Sequence, residues 1–383
     1  MWKVPLFDIG FDNRETEAVQ QVLDSGWLTM GKVTERFEQE FSEYMNVKYA
    51  IAVSNCTAAL HLANLALGIG EGDEVICPSL SFVAGANSIV YVGAEPVFAG
   101  VTSLRDFNIS PDDVEVKITK KTKAIQILHF GGNPCNMSDI IELAGKYGLS
   151  VIEDCAHSPG AEYNGKKCGT IGDIGCFSFY SNKNLAVGEG GMVTTNRDDL
   201  AKKIRLMRSH GMTTLTLDRH LGRTFSYDVV ELGYNYRIDE IRSAIGKVQL
   251  EKLERNNVRR KELVKIYKEK LTDIQGLTIP FKDNSGLSSC HIFPVLLDNG
   301  INRFEFMGYL KEKGIQSSIH YPAIHLFDFY RHNYGHKDGL LPVTEDIARR
   351  EVTLPLYPSM QKEDVHYVCD LIVEYIEREE VLR

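Results

Sequence analysis

CFSFYSNKNLAVGEGGMVTT, residues 176–195, begins as an apolar run, carries one lysine at Lys183 and returns through a glycine-rich turn into a second apolar run. Lys183 is the only charged residue between Asp173 and Glu189. A lysine in apolar surroundings has a depressed pKa, as an amine nucleophile needs, and such an amine asks for a carbonyl partner. Taken alone, the same stretch reads as a solvated lysine beside a tight turn.

Outward from this stretch the chain repeats one pattern. YAIAVS (49–54), EVICPS (74–79), EPVFAGV (95–101), TKAIQILHF (122–130), LSVIEDC (149–155), GCFSFY (175–180) and GMVTT (191–195) are short apolar runs. Helical patterns such as 58–67 and 138–147 separate them. Runs apolar on both faces and alternating with helices predict an α/β fold with a mostly parallel sheet covered on both sides. A helix is expected over 15–23, and a second where Val33, Phe37, Phe41 and Met45 recur every fourth position. From Ile238 a long helix carries Ile241, Ala244, Val248 and Leu253 on one side and continues in charged form towards Leu271. We take it as the boundary between a large domain, 1–250, and a small C-terminal α+β domain, 251–383. The small domain is expected to hold a strand in CHIFPVLL (290–297), a helix over 303–313, a strand in IQSSI (315–319) and closing helices.

Composition narrows the function. With 43 Lys and Arg against 52 Asp and Glu, the formal charge of −9 disfavours a nucleic-acid binder, which needs a basic face. The basic run 252–270 is interleaved with Glu254, Glu262 and Glu269, so it reads as a solvated helix face. The eight cysteines form no CxxC pair and no metal-ligand spacing, and several sit in apolar runs as small buried thiols do. VICPSLSFVAGANSIVYVGA (75–94) is uncharged, but Pro78, Gly85, Asn87 and Gly93 interrupt it, so a buried strand, loop and helix is expected rather than a membrane span. No charged and apolar leader pattern opens the chain, where Lys3, Pro5 and Asp8 stand close together, and a cytoplasmic location is expected.

Three features carry chemistry. In AVSNCTAALHLA a strand ends at Ser54 and a helix begins near Thr57, so the amides of Thr57 and Ala58 would face an anion; alone, Thr57 reads as an ordinary helix cap. In SVIEDCAHSPGA, Glu153 and Asp154 end an apolar strand and His157 follows; alone, Asp154 reads equally as a turn residue and His157 as a satisfied core histidine. The third feature is Lys183. The dinucleotide signature GxGxxG does not follow the first strand, and GIGEG (68–72) follows a helix. A buried Asp, a Schiff-base Lys and an anion-binding helix start together describe pyridoxal phosphate better than a nicotinamide.

With these motifs together, the chain resembles the DegT/StrS family of sugar aminotransferases. The likeness also includes SGWLTMG (25–31), SFVAGANSI (81–89), HFGGNPCNM (129–137), GYNYRIDEIRSAIG (233–246), IHYP (319–322) and LPLYPSM (354–360), so it covers nearly the whole chain. The resemblance implies the pyridoxal-phosphate-dependent transferase fold type I, with a seven-stranded sheet between helices. It implies Lys183 as the Schiff-base lysine and acid/base, Asp154 as partner of the pyridine nitrogen, and His157 beside the ring's phenolic oxygen. Phe82 matches the aromatic that stacks on the ring. Thr57, Ala58 and Ser178 match the phosphate cradle, and Asn235 a phosphate ligand given by the other subunit of a homodimer. His320 and Tyr321 resemble residues near the sugar site, and Arg237 is a candidate for a carboxylate or phosphate; Tyr234 and Tyr236 read equally as core packing. The implied reaction is ping-pong, moving an amino group from an amino acid, L-glutamate by family habit, to a keto group of a nucleotide-linked sugar. No metal is implied.

The departures are small. Ser181 and Asn182 stand where relatives often carry Pro or Gly, and Cys56 where many carry Gly. A deoxygenating branch of the family replaces the lysine with histidine, so Lys183 sides with the aminotransferases. Two alternatives compete: an aminotransferase acting on a keto-cyclitol, and a non-catalytic sensor that keeps the fold. The glycines Gly188, Gly190 and Gly191 are expected to let the backbone pass close beneath the cofactor.

Overall fold

All seven apolar runs become strands of a single sheet in the computed structural model, which describes residues 2–214, 216–222, 224–282 and 286–382. They are β1 (Tyr49–Val53), β2 (Glu74–Pro78), β3 (Glu95–Ala99), β4 (Thr122–Leu128), β5 (Ser150–Asp154), β6 (Ile174–Ser178) and β7 (Gly191–Thr195), in the spatial order β1-β7-β6-β5-β4-β2-β3. Six strands point the same way; β7 alone runs against both its neighbours, β1 and β6. The segment between β6 and β7 holds no helix, and a parallel return needs a crossover, so β7 comes back antiparallel. The carboxyl ends of the six co-directed strands therefore gather along one edge of the sheet.

Side-chain alternation decides which layer each strand residue meets. Phe177 turns to one face with Phe179 just beyond it, packing on Phe37 and Phe41 of the helix Lys32–Met45, whose rings lie 5.2–5.6 Å from theirs. Ile174 and Cys176 turn to the other face, against Leu60 and Ala63 of the helix Cys56–Ala66 and Ile204 of the helix Asp198–Met207. The expected stripe on the second helix is thus a core stripe, and all eight cysteines are free and buried. Residues 75–94 form β2, a loop and the helix Ala84–Tyr91; among the described residues no helix is long and apolar enough to cross a membrane.

The long helix spans Glu240–Leu271 without a break, through the residues where we set the domain boundary. Its far half, with Leu263, Tyr267 and Leu271, enters a separate hydrophobic cluster shared with Phe293, Leu354 and Ile372. Val4 belongs to the same cluster, so the first residues pack on the C-terminal layers. The small sheet there is Leu277–Thr278, Phe293–Leu297 and Glu351–Leu354, in that order. The strand expected in IQSSI does not form: Ile315 makes one bridge to Val4 and Ser318 one to Thr353. Just beyond the run, the His320 amide donates to the Glu351 carboxylate at 2.7 Å, so pairing does not continue there. Glu351–Leu354 supplies the third strand instead, a run that sequence reading left without an element.

One buried carboxylate ties the helical layer together. Glu240 opens the long helix, is 3% exposed, and accepts the N–H groups of Gly31, Val33 and Thr34, each at 2.8 Å, and the Thr34 hydroxyl at 2.6 Å. It thereby caps the helix Lys32–Met45, whose own N-cap, Gly31, has no side chain to do so. Replacing it with Gln (E240Q) puts two N–H donors and one acceptor where three amides need acceptors. The change is expected to lower stability by about 2 kcal/mol, read from the chemical-denaturation midpoint, with the cavity described below unaltered.

Candidate active site

The carboxyl ends of β1, β2, β4, β5 and β6 and the loops that follow them line one cavity of about 830 Å³. Thr57 and Ala58 come from the loop and helix after β1, Phe82 from the loop after β2, Asp154 and His157 from the end of β5, and Ser178 and Lys183 from the end of β6 and its loop. His320 and Tyr321 enter from the C-terminal part. Ligands of open α/β sheets sit at this edge, where strand ends meet helix N-termini. Of the residues singled out from sequence, Asn235 and Arg237 do not reach the cavity; Asn235 is exposed and Arg237 half-buried. Tyr236, between them, lines it, as do Tyr91, Tyr180 and Glu189.

Alternation along β5 separates the two acids. Glu153 turns to the far face, where it accepts N–H groups from Gly169, Ile171 and Gly172 at 2.6–2.8 Å and faces His129 Nε2 at 3.0 Å. Asp154 turns to the cavity. It is 6% exposed, and its Oδ1 accepts the Ala156 N–H at 2.9 Å, with the Cys56 thiol at 3.9 Å. Burial pushes its pKa up to about 6, against the pull of the Ala156 amide and of Lys183. Lys183 is half-buried at the cavity wall, and the same desolvation draws its pKa down to about 8. Burial outweighs the mutual attraction of the pair, so both groups lean towards their neutral forms.

The helix Cys56–Ala66 points its N-terminus at the cavity, but its cap is Asn55 rather than Thr57. Asn55 Oδ1 accepts the Ala58 N–H at 2.8 Å, so that amide is already engaged, while no protein acceptor among the described residues takes the Thr57 N–H. Ser178 stands nearby, its Oγ accepting the Tyr180 N–H at 3.4 Å. Phe82 presents a ring that is 59% exposed, 6.1 Å from that of Tyr321. None of Gly188, Gly190 and Gly191 lines the cavity. A Cβ on Gly191 would lie 2.7 Å from the Asn55 carbonyl carbon and 2.8 Å from the Phe177 oxygen, so this glycine serves the closeness of β7 to its neighbours, not passage beneath a ligand.

Three histidines flank the pair, and burial holds each well below the usual pKa. His157 Nδ1 accepts the Gly131 N–H at 3.3 Å, so its Nε2–H donates to Tyr321 Oη at 2.8 Å. His320 Nδ1 lies 2.9 Å from Thr353 Oγ1, whose hydroxyl goes to the buried Glu351 carboxylate. Glu351, also raised by burial, has a pKa of about 8. His291 was absent from the sequence reading: it sits in a run that reads only as a strand, yet its Nε2 lies 3.4 Å from Lys183 Nζ. The buried group His129, Glu153 and Cys155 has ligand-type atoms close together. His129 and Glu153 are committed already, however, His129 Nδ1 accepting the Cys135 N–H at 3.0 Å.

These residues fit pyridoxal phosphate on their own chemistry. An uncapped amide and a serine suit a phosphate, a buried carboxylate without a close cation suits a protonated ring nitrogen, an exposed phenylalanine suits a flat face, and an amine of depressed pKa suits an aldehyde.

Residues 10–373 match the model of the DegT/DnrJ/EryC1/StrS aminotransferase family. The chain is 38% identical to the GDP-perosamine synthase of Escherichia coli O157:H7 over 374 residues, 97% of this chain and 98% of that one. Its structure is similar to that of PseC from Helicobacter pylori, an aminotransferase involved in the biosynthesis of pseudoaminic acid, with a TM-score of 0.91, 30% identity and coverage of 98% and 99% of the two chains. It is likewise similar to the PLP form of Spr1654 from Streptococcus pneumoniae, a putative sugar aminotransferase, with a TM-score of 0.91, 26% identity and coverage of 98% and 99%.

The raised pKa of Asp154 has a consequence for the ligand-free protein. An acid whose folded pKa lies above its unfolded value stabilises the fold fully only below the unfolded pKa, and that contribution is lost as pH rises through the folded value. Here the window runs from about 4 to about 6. Ligand-free D154N is therefore expected to match the wild type near pH 4 and to exceed it by about 1–3 kcal/mol above pH 7, while capturing pyridoxal phosphate poorly. Denaturation midpoints across pH, with cofactor titration at pH 7.5, check both halves.

Proposed function

Because this chain belongs to the DegT/DnrJ/EryC1/StrS aminotransferase family, whose members use pyridoxal phosphate, we propose that it moves an amino group from L-glutamate to a keto group of a nucleotide-linked sugar. The observation that carries the reading is the pairing of Lys183 and Asp154 in one cavity, each displaced by burial towards its neutral form. When bound, pyridoxal phosphate supplies an aldehyde that condenses with amines and a ring that withdraws electrons from the adjacent carbon.

The chain's own residues then have distinct tasks. Asp154 holds the ring nitrogen's proton: a cation brought against its carboxylate compensates the burial that otherwise favours the acid. Lys183 Nζ would hold the cofactor through its aldehyde and, when free, would take up the proton that leaves the substrate carbon, a task suited to an amine whose pKa is about 8. His157, whose Nε2–H is bonded to Tyr321 Oη, would stand with that hydroxyl beside the cofactor's phenolic oxygen. Thr57 and Ser178 hold the phosphate and Phe82 covers the ring. A cavity of about 830 Å³ is at the upper end of small-molecule sites, room for a cofactor and a sugar together. Similarity to a GDP-perosamine synthase, to an aminotransferase of pseudoaminic acid biosynthesis and to a putative sugar aminotransferase supports the sugar class, with His320 and Tyr321 of the C-terminal wall as the residues to meet it.

The reading includes a homodimer. Asn235 is exposed beside a segment with Phe225 98% exposed and Leu232 78% exposed, surface that a second copy would cover. Asn235 then serves the phosphate of the partner's site.

Three experiments test the proposal. L-glutamate should convert the bound cofactor to its amine form, seen by visible absorbance, and K183A should lower turnover by at least about 1,000-fold. Across keto sugars carrying UDP, GDP or dTDP, at least one should be aminated; activity confined to free keto-cyclitols would overturn the substrate class. Mixing inactive K183A with a weakened N235A variant should restore about a quarter of the wild-type sites, because one site of each mixed dimer keeps both residues. No recovery would refute sharing.

A further inference from the structure

Lys183 has a neighbour that the reaction as described does not use. His291 is 4% exposed, and its backbone is fixed at both ends: its N–H donates to Gly131 O at 3.0 Å and its carbonyl accepts from the buried Arg260 at 3.4 Å. Its Nδ1 lies 3.0 Å from Asn184 Oδ1, which leaves Nε2, 3.4 Å from Lys183 Nζ, as its one side-chain polar atom turned towards the lysine.

The tautomer of this ring follows from a chain of obligate acceptors. Backbone carbonyls only accept, so Asn257, bonded to Pro159 O at 2.9 Å, must present Nδ2 there and Oδ1 to its other neighbour. That neighbour is Asn184, whose Nδ2 reaches Asn257 Oδ1 at 2.8 Å and Ser289 O at 2.9 Å. Both donors of the Asn184 amide are then spent on oxygens, and turning it over would set oxygen against oxygen. Asn184 Oδ1 therefore faces His291 Nδ1 and requires a proton on it. A second proton on the ring is opposed by burial and by Lys183 and Arg260 beside it. His291 Nε2 is left as a lone-pair acceptor aimed at the lysine amine.

We propose that His291 is a positioning residue for Lys183: locked as the Nδ1–H tautomer by Asn184 and Asn257, it accepts a hydrogen bond from Nζ whenever the amine is not bonded to cofactor or substrate. No proton leaves the lysine in this contact. A neutral acceptor binds an ammonium more strongly than an amine, so the bond tightens as Nζ takes up the substrate's proton and favours that step. The same bond keeps the released amine within the cavity, between His291 and Asp154. The inference rests on the reading of Lys183 as the reactive amine.

The groups facing Lys183 are Asp154, Cys56, His157, His291 and His320; those facing His291 are Lys183, His157, Arg260 and His320. The first test follows capture of pyridoxal phosphate by ligand-free protein against pH, because capture needs the neutral amine. H291F should move the midpoint of that profile down by about half a unit or more, since the ammonium loses its acceptor, and H291Q, which keeps an oxygen near the Nε2 position, should restore it. An unmoved midpoint in H291F overturns this inference alone. Wild-type protein that forms no adduct at Lys183 overturns the functional reading and this inference with it. The second test needs no folded variant of the ring. In ligand-free wild-type protein labelled with ¹⁵N-histidine, His291 should show a protonated Nδ1 and a bare Nε2 from pH 6 to pH 9; a protonated Nε2 overturns the inference.

Discussion

A carboxylate buried without its counterion is the constraint around which this molecule is arranged. Most of the other buried acids are satisfied by the fold itself: Glu153 by three amides and His129, Glu240 by three amides and a hydroxyl, Glu38 by the Ala52 amide and two arginines. Asp154 has one amide and a thiol, at the end of a strand in which the three residues before it are buried. Ionisation there costs free energy until a cation arrives. The site is thus less stable than the scaffold that holds it, and a cationic group brought against Asp154 would relieve that strain.

The scaffold makes this tolerable by stiffness. Neighbouring Glu153 anchors the loop 169–172 from the opposite face of β5, so the strand end that carries Asp154 is fixed on one side by hydrogen bonds and on the other by packing against the helix Cys56–Ala66. The antiparallel return of β7 closes the loop that carries Lys183 without a helix, with the Lys183 amide bonded to Tyr180 O at 2.9 Å. Asp154, at the end of β5, and Lys183, in the loop after β6, are therefore held by the same pair of adjacent strands.

Histidines supply the remaining polar surface while staying uncharged. His157 donates from Nε2 because Gly131 occupies its Nδ1, and His291 accepts at Nε2 because Asn184 occupies its Nδ1 from the opposite sense. The same side chain thus offers a donor at one wall and an acceptor at another, with the choice made by a single fixed neighbour in each case. Neutral rings avoid adding positive charge beside the Lys183 amine.

Periodicity carried the seven strands and most of the helices, and with them Thr57, Asp154, His157 and Lys183 at strand ends, because apolar runs and the residues that end them are local patterns; Phe82 and Ser178 came only from the family resemblance. The choice between Glu153 and Asp154 was also legible from motif resemblance, and alternation explains it. Other features were not local. The strand Glu351–Leu354 needed Phe293–Leu297 beside it, and IQSSI met only two isolated partners, Val4 and Thr353. Asn55 rather than Thr57 caps the helix, a matter of backbone entry angle. His291 meets Lys183 across more than a hundred residues of chain, through a hydrogen-bond relay whose members stand in unrelated elements. The sequence by itself determined which residues could be reactive, since burial pattern and residue type are written along the chain. Only the tertiary structure decided their protonation and partners, since desolvation and hydrogen bonding depend on what the rest of the fold brings alongside.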